Sequence, residues 1–252
     1  MEIQASLPVT SCLSLRDGIL RIIIHRPSGR PITEQSPDLG RYRFSYAHEL
    51  IHSLAYDLRS LPCRRVAPLP KTKEEEVLCN YGARHLIMPP ELLRKELESQ
   101  SEIDARFLVA LARKGRVSLQ VLGLQLCGEK LLPPPPNTIY LLSKIGFGSD
   151  GEGIKKARCI ACVYYDSQGH FRRFLGSNEG IDRIGSGRGR GLRWTLIKAH
   201  DQVRSGTYAF SVKVKDEEIV LANKARVLFT GTHEQLSMSG YIWTKGMLLP
   251  IE

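Results

Sequence analysis

The pattern of apolar and polar positions differs between the two halves of the chain. In the first half, helical periodicity predicts five helices, at about residues 45–58, 73–87, 90–99, 102–114 and 118–128. Ser45 is the expected N-cap of the first helix, and β-branched residues at 18–25 predict a strand before it. The first half is therefore expected to be mostly helical.

The second half has the short apolar runs and turn residues that are typical of strands. Runs at 157–166 and 170–175, separated by Ser167-Gln168-Gly169, predict a hairpin. The remaining predictions are strands at 208–214, 219–221 and 225–230, an acidic turn at Asp216-Glu217-Glu218 and a helix at 193–203. The predicted fold class is α+β, with a strand-rich second domain.

Four consecutive prolines, Pro133 to Pro136, separate the two patterns. Proline lacks a backbone donor and favours an extended conformation, so no helix or central strand is expected to cross them. We therefore predict one domain at 1–132, a Pro-rich linker at 133–137 and a second domain at 138–252.

The composition is that of a globular protein, with 42% apolar and 25% charged residues in 252. No stretch approaches the ~20 apolar residues that span a bilayer, and the first residues lack the pattern of a signal peptide. The 6 cysteines follow no framework spacing, which favours a reducing compartment. We expect a cytoplasmic protein with no membrane partner.

One motif carries specific chemistry, the segment His48-Glu49-Leu50-Ile51-His52. Residues four apart lie on one face of a helix, so the two imidazoles can bind one metal ion. Glu49 can accept a proton from metal-bound water and pass it to a leaving amine. The alternative is an amphipathic helix with two partly exposed histidines.

A catalytic zinc site needs a third protein ligand, and the next predicted helix offers Glu74-Glu75-Glu76. Glu76 shares a helical face with Asn80 and Ala83, so Glu76 and Asn80 are expected to point at the first helix. Glu74 and Glu75 are expected to be solvated, since acidic residues are favourable near a helix N-terminus in any case.

Two segments resemble the signatures of the ImmA/IrrE metallopeptidases. Residues 43–52, RFSYAHELIH, are similar to that family's RFTLAHELGH helix, and residues 76–89, EVLCNYGARHLIMP, to its ExxANxFAxxLLMP signature. The resemblance implies one Zn²⁺ ion bound by His48, His52 and Glu76, with Glu49 as general base. It also implies a mostly helical, zincin-like domain with a small edge sheet.

The resemblance implies a protein substrate as well, commonly a helix-turn-helix repressor whose loss switches on a stress response, and hence a role in transcription regulation. A substrate chain could bind by β-augmentation to an edge strand beside the metal, and Ile19–Ile24 is the candidate strand. The oxyanion of the transition state needs a hydrogen-bond donor, for which Tyr46 and Tyr81 are the candidates.

Three residues depart from the family's usual pattern. Cys79 stands where Ala is usual, Gly82 where Phe is usual, and Ile51 where Gly is common. Gly82 is expected to cost about 1 kcal/mol relative to Ala in a helix and to remove an aromatic contact, so weaker activity is one expectation. Cys79 is expected to be a small buried residue rather than a reactive thiol.

Two further motifs favour structural interpretations. Residues 113–118 join two predicted helices as in a helix-turn-helix, but 118–126 is apolar nearly all round, which favours a buried scaffold helix. Cys159 and Cys162 form a lone C-x-x-C in a predicted strand, where residues three apart point to opposite faces and cannot share a metal.

The formal net charge is +10, with a Gly- and Arg-rich segment at 183–193. Arg188, Arg190 and Arg193 are candidates for contact with phosphate or nucleic acid, and a flexible basic loop is the alternative. Two functions follow. The first is a zinc-dependent endopeptidase. The alternative is a catalytically weak or inactive regulator that binds nucleic acid or a protein through its basic C-terminal domain.

Overall fold

The computed structural model describes most of the chain and confirms the α+β class. The described residues are 2–4, 11–25, 33, 36, 38–66, 72–133, 135–147, 155–165, 168, 171–175, 211–220, 226–236 and 241–251. Two compact units can be distinguished, 1–92 with 113–118, and 93–112 with 119–252. The Pro-rich segment lies within the second unit, and the sequence domains 1–132 and 138–252 stay a prediction. No described helix is both long enough and apolar enough to cross a membrane.

The first unit contains a three-stranded sheet. Its strands are β1 (Glu2–Gln4), β2 (Ser11–Arg16) and β3 (Ile19–His25), in the order β1-β3-β2. The β2–β3 turn consists of Asp17 and Gly18, both with positive φ (52° and 74°), and an Asp-Gly pair favours this two-residue turn.

The prediction that Ile19–Ile24 is the edge strand is wrong. β3 pairs with β1 in parallel and with β2 in antiparallel, so it lies in the middle of the sheet. Among the described strands of this sheet, β2 has a neighbour on one side only. The prediction selected β3 because it is rich in apolar residues. A central strand has neighbours on both sides and is more buried, so an apolar strand is more often central than at an edge.

The first unit also holds two helices and a small hairpin. They are α1 (Leu39–Ser53), α2 (Thr72–Ile87), β4 (Tyr56–Asp57) and β5 (Arg64–Arg65). α2 agrees with its predicted range. α1 begins earlier than predicted, so Ser45 is a buried residue within the helix and not its N-cap.

A tertiary contact accounts for the early start of α1. A Cβ atom at Gly40 would lie 2.7 Å from the backbone of Val117 and Ser118, so only glycine allows this approach. Arg43 donates a hydrogen bond to the Gly115 carbonyl at 2.6 Å and fixes the same segment. Neither contact is visible in the local periodicity around Ser45.

Two of the unusual residues in α1 and α2 fit against each other. A Cβ atom at Gly82 would lie 3.1 Å from the Ile51 side chain, so Ile51 occupies the space beside the glycine. The larger residue on α1 thus accompanies the smaller one on α2, and the helix contact is retained. Cys79 and Ala83 are buried on α2.

The second unit includes three short helices close to the predicted ranges. They are α3 (Pro90–Glu98, which begins in the first unit), α4 (Ala105–Gly115, which ends in the first unit) and α5 (Leu119–Gly128). α4 begins at Ala105 because the Asp104 carboxylate accepts the Phe107 amide at 2.7 Å and Glu234 accepts the Ala105 amide at 2.6 Å. Most residues of α5 are buried, which confirms the scaffold interpretation.

A six-stranded antiparallel sheet forms the rest of the second unit. Its order is β8-β7-β6-β11-β10-β9. The strands are β6 (Thr138–Phe147), β7 (Lys155–Tyr165), β8 (Phe171–Leu175), β9 (Ser211–Val220), β10 (Arg226–Gln235) and β11 (Tyr241–Pro250). The β7–β8 pairing confirms the predicted hairpin, whereas β6 and β11 were not predicted.

One register shift corrects a prediction, and a second lies between the two cysteines of the C-x-x-C pair. The acidic turn at 216–218 is wrong, because β9 continues through it and places one extra residue, a β-bulge, opposite Thr230. In β7 a second shift places Cys159 opposite Ser143 and Cys162 opposite Leu141. The bulge lies between the two cysteines, and the structural interpretation of the C-x-x-C pair stays a prediction.

Arg188, Arg190 and Arg193 lie outside the described residues, as does the helix predicted at 193–203. Their roles stay predictions.

Candidate metal centre

α1 places two histidines side by side. His48 and His52 are one turn apart, and their Nε2 atoms are 3.0 Å from each other. Their side chains are 12% and 14% exposed. Helical periodicity alone accounts for this pairing, since residues i and i+4 lie on one face.

α2 brings a carboxylate to the same point. The two oxygens of Glu76 lie 3.2 Å from His48 Nε2 and 3.2 Å from His52 Nε2. The Glu76 side chain is 56% exposed, so this side of the group opens to solvent. The three residues form a group that could bind a metal ion, with all ligand atoms within 4.8 Å of one another.

The donor set and its spacing fit zinc. Zinc takes nitrogen and oxygen ligands at about 2.0–2.1 Å in tetrahedral geometry, which separates neighbouring ligand atoms by about 3.3 Å. The distances of 3.0 and 3.2 Å among the three side chains are close to that separation. Three protein ligands with one open side are the arrangement of a catalytic zinc site rather than of a closed structural one.

Glu75, the neighbour of Glu76, differs from its prediction in solvent exposure. The prediction that it is solvated is wrong, because its side chain is only 13% exposed. One oxygen lies 2.8 Å from His52 Nδ1 and the other accepts a hydrogen bond from Arg65 at 2.7 Å. Glu74 is exposed, as expected.

The charge state of Glu75 follows from these contacts. Burial alone would raise the pKa of Glu75, but the hydrogen bonds from Arg65 and His52 outweigh burial and lower it. The carboxylate is therefore ionised at neutral pH and can only accept hydrogen bonds. His52 Nδ1 is therefore the donor in this contact, and in the neutral imidazole the lone pair is then on Nε2, the atom that faces Glu76 and His48.

The second histidine is held differently. His48 Nδ1 is buried and has no hydrogen-bond partner among the described residues. His52 is thus the only one of the two imidazoles whose Nδ1 is fixed by a described side chain.

Glu49 is buried beside the two histidines and faces the small sheet. Ser11, the first residue of β2, donates a hydrogen bond to the Glu49 carboxylate at 2.7 Å. The bond joins α1 to the edge strand and fixes one carboxylate oxygen.

A cleft of about 700 Å³ surrounds the group. Its lining includes residues of β2, α1, the β4–β5 hairpin and α2, among them Ser11, Leu13, Tyr56, Arg65 and Asn80. Tyr46 and Tyr81 are not among the residues that line it, and each is 43% exposed. The structure therefore brings together Glu49, His48, His52 and Glu76, but neither of the two predicted oxyanion donors.

Two cysteines lie near these carboxylates. Burial, together with the charges of Glu75, Glu76 and Glu49, raises the pKa of Cys79 to about 11. Cys12 lines the cleft, and burial and Glu49 raise the pKa of its thiol too. Both side chains are neutral thiols at pH 7 and not reactive thiolates, which agrees with the expectation for Cys79.

The segment that carries the two histidines and Glu76 also matches a known protein family. Residues 34–126 match the family model of the IrrE N-terminal-like domain, Peptidase_M78. Over this segment the chain is similar to the IrrE N-terminal-like domain. A comparison with curated proteins gives no match.

The matched segment contains α1 and α2, and with them both histidines and Glu76. Three residues around the group were missed by sequence reasoning, namely Glu75, Arg65 and Ser11. Ser11 precedes the matched segment, and Arg65 lies outside the two signature motifs. Glu75 stands beside Glu76 in sequence, and no local signal separates their roles.

Proposed function

We propose that the chain is a zinc-dependent endopeptidase. The convergence of His48, His52 and Glu76 around one point, with the carboxylate of Glu49 in the same cleft, is the observation that supports it. The match of residues 34–126 to a peptidase family model supports the same chemistry.

In this proposal His48, His52 and Glu76 hold the ion. An ion held there would supply Lewis-acid chemistry, since zinc lowers the pKa of water to about 7 and makes a nucleophile available at neutral pH. Glu49 would accept the proton of the attacking water through one carboxylate oxygen while the Ser11 hydroxyl donates to the other. Glu49 then donates the proton to the leaving amine of the cleaved peptide.

Tyr56 is the candidate oxyanion donor that the cleft favours. It lines the cleft, whereas Tyr46 and Tyr81 do not. Its phenol is a hydrogen-bond donor of the kind that stabilises a tetrahedral oxyanion. Replacing Tyr56 with Phe is expected to lower kcat more than it changes KM.

The proposed substrate is a protein segment in extended conformation. β2 has a neighbour on one side only among the described strands, and its residues Ser11, Cys12 and Leu13 line the cleft. An extended chain could pair with this strand and pass the metal group. Following the family resemblance, a helix-turn-helix repressor in a cytoplasmic stress-response circuit is the first substrate to test.

The decisive experiment measures cleavage of a mixed peptide library, and of a candidate repressor, by mass spectrometry. We compare the zinc-loaded protein, the same protein with chelator, Glu49→Gln, and the exposed control Glu74→Gln. General acid–base catalysis contributes about 10²–10⁴-fold, so Glu49→Gln should lose about that much rate while retaining its zinc. Glu74→Gln should match the wild type. Cleavage that persists equally in Glu49→Gln or with chelator contradicts the proposal and favours a binding role for the chain.

A further inference from the structure

We propose that Arg65 and Glu75 are positioning residues that hold His52 in the tautomer and orientation needed for metal binding. This inference rests on the proposed function, because it concerns the same group of ligands. It assigns different roles to three consecutive glutamates, with Glu76 a ligand, Glu75 a support for a ligand and Glu74 a solvent-exposed residue.

The contact between Glu75 and His52 has the geometry of a carboxylate that orients a metal-binding imidazole. The Oε1 atom of Glu75 lies 2.8 Å from Nδ1, on the side of the ring opposite the nitrogen that faces Glu76. Metal-binding histidines commonly donate their second ring N–H to a carboxylate, which fixes the tautomer and raises the basicity of the ligand nitrogen. Both partners are largely buried, with side chains 14% and 13% exposed.

Arg65 completes the arrangement from a separate element. It donates a hydrogen bond to the second oxygen of Glu75 at 2.7 Å, so both carboxylate oxygens have partners. The β4–β5 hairpin that carries Arg65 is joined to the end of α1 by a hydrogen bond of 2.9 Å from the Val66 amide to the Ala55 carbonyl. Glu75 is therefore fixed between α1 and the hairpin.

The electrostatics of the cleft give Arg65 a second effect. Glu49, Glu75 and Glu76 place three carboxylates around one cleft, and Arg65 lines it as well. By donating a hydrogen bond to Glu75, Arg65 keeps that carboxylate directed at His52 Nδ1 and away from the Nε2 atoms of the two histidines. Without Arg65, Glu75 can turn towards the ion and compete with Glu76 for the same coordination position.

The test measures zinc affinity by competition with a chromophoric chelator, which does not require a substrate. The variants are Glu75→Gln, Glu75→Ala and Arg65→Gln, and Glu74→Gln is the matched control one position away. Loss of an orienting partner typically costs about 10–100-fold in metal affinity. We expect that loss for Glu75→Ala, a smaller loss for Glu75→Gln, whose amide oxygen still accepts the Nδ1–H, and less than twofold for Glu74→Gln.

A spectroscopic readout separates positioning from general stability. Long-range ¹H–¹⁵N NMR reports which ring nitrogen of His52 carries the proton. We expect the Nδ1–H tautomer in the wild type and in Glu74→Gln, and a mixture of tautomers in Glu75→Ala. Far-UV circular dichroism of the chelator-treated variants checks that each one is folded.

The outcomes distinguish this inference from the proposed function. If the wild type binds no zinc, or His48→Ala binds it equally well, the proposed function fails and the inference fails with it. If zinc binds through His48, His52 and Glu76 but Glu75→Ala behaves like Glu74→Gln, only the inference is overturned. A larger loss for Glu75→Gln than for Glu76→Gln would also overturn it, since Glu75 would then be a ligand.

Discussion

The candidate metal centre and the six-stranded sheet both bury polar side chains, but the hydrogen-bonding needs of these side chains are met differently. In the sheet, His233 Nδ1 and Thr244 Oγ1 lie 2.8 Å apart on neighbouring strands, and Ser143 is bonded to a backbone carbonyl. In the metal centre, several carboxylates and two imidazoles approach one point, and the oxygens of Glu76 face both histidines.

This difference in how polar side chains are paired separates a structural region from a candidate functional one. Neutral groups that pair within a sheet need no further partner, and they fix the register of the strands. Carboxylates and imidazoles directed at one another are costly to bury unless a cation joins them. Buried polar residues therefore point to function only where their charges converge on an open cleft.

The largest expected effect comes from adding zinc. Zinc at about 1,000 times its dissociation constant should stabilise the metal centre by about 4 kcal/mol, because it binds the folded state alone. Hydrogen exchange read by mass spectrometry should show slower exchange in α1 and α2 and little change in β10 and β11. Glu76→Gln should abolish the protection. If zinc slowed exchange equally in α1, α2, β10 and β11, the proposal that the ion binds between α1 and α2 would be contradicted.

The next effect concerns close packing in the sheet. Gly231 and Gly246 face each other on β10 and β11, and a Cβ atom at Gly246 would lie 2.7 Å from the Thr230 carbonyl oxygen. Gly246→Ala should therefore lower the free energy of unfolding by about 3 kcal/mol, the upper end for overpacking. Met247→Ala, an exposed neighbour on the same strand, is the control for urea unfolding. A near-neutral Gly246→Ala would show that the strands can separate locally.

A pH effect should follow from His233. Burial lowers the pKa of His233 to about 4, from 6.5 in an unfolded chain. The unfolded state therefore binds the proton more readily, and this contribution to stability, complete above pH 6.5, is lost as the pH falls towards 4. The loss should be about 2 kcal/mol between pH 7.5 and pH 5. The free energy of unfolding, measured with urea, should fall by this amount in the wild type and not in His233→Gln. Parallel plots of this free energy against pH for the two proteins would contradict the prediction.

The smallest effect tests the contact between Ile51 and Gly82. Alanine is favoured over glycine in a helix by about 1 kcal/mol, but a Cβ at Gly82 would crowd Ile51. Gly82→Ala should thus give little stabilisation in the wild type and about 1 kcal/mol in the Ile51→Ala background. A double-mutant cycle by urea unfolding measures this coupling. Additive changes in the free energy of unfolding would mean that Ile51 and Gly82 are not energetically coupled.

Much of the helical half was predictable because its signals are local. The ranges of α2, α3 and α5 were recovered to within one or two residues, since periodicity, prolines and glycines mark their ends. The start of α1 was misplaced, because it depends on Gly40 lying against the backbone of Val117 and Ser118. The edge of the small sheet was misassigned because strand order is a property of pairing and not of composition.

The sheet was recovered less completely for a similar reason. β6 and β11 pair with each other near its centre, yet they are 94 residues apart when measured from Phe147 to Tyr241. The bulges opposite Thr230 and beside Cys159 exist only relative to a partner strand. No pattern within one strand can reveal where its neighbour shifts register.

The sequence by itself determined that His48 and His52 share a helical face, because a spacing of four residues is nearly one helical turn. It also marked Glu74-Glu75-Glu76 as the source of a candidate third ligand. Only the tertiary structure decided which glutamate faces the two histidines, because consecutive residues on a helix point about 100° apart. The rotation of α2 against α1 turns Glu76 towards both imidazoles, and the β4–β5 hairpin supplies the arginine that fixes Glu75.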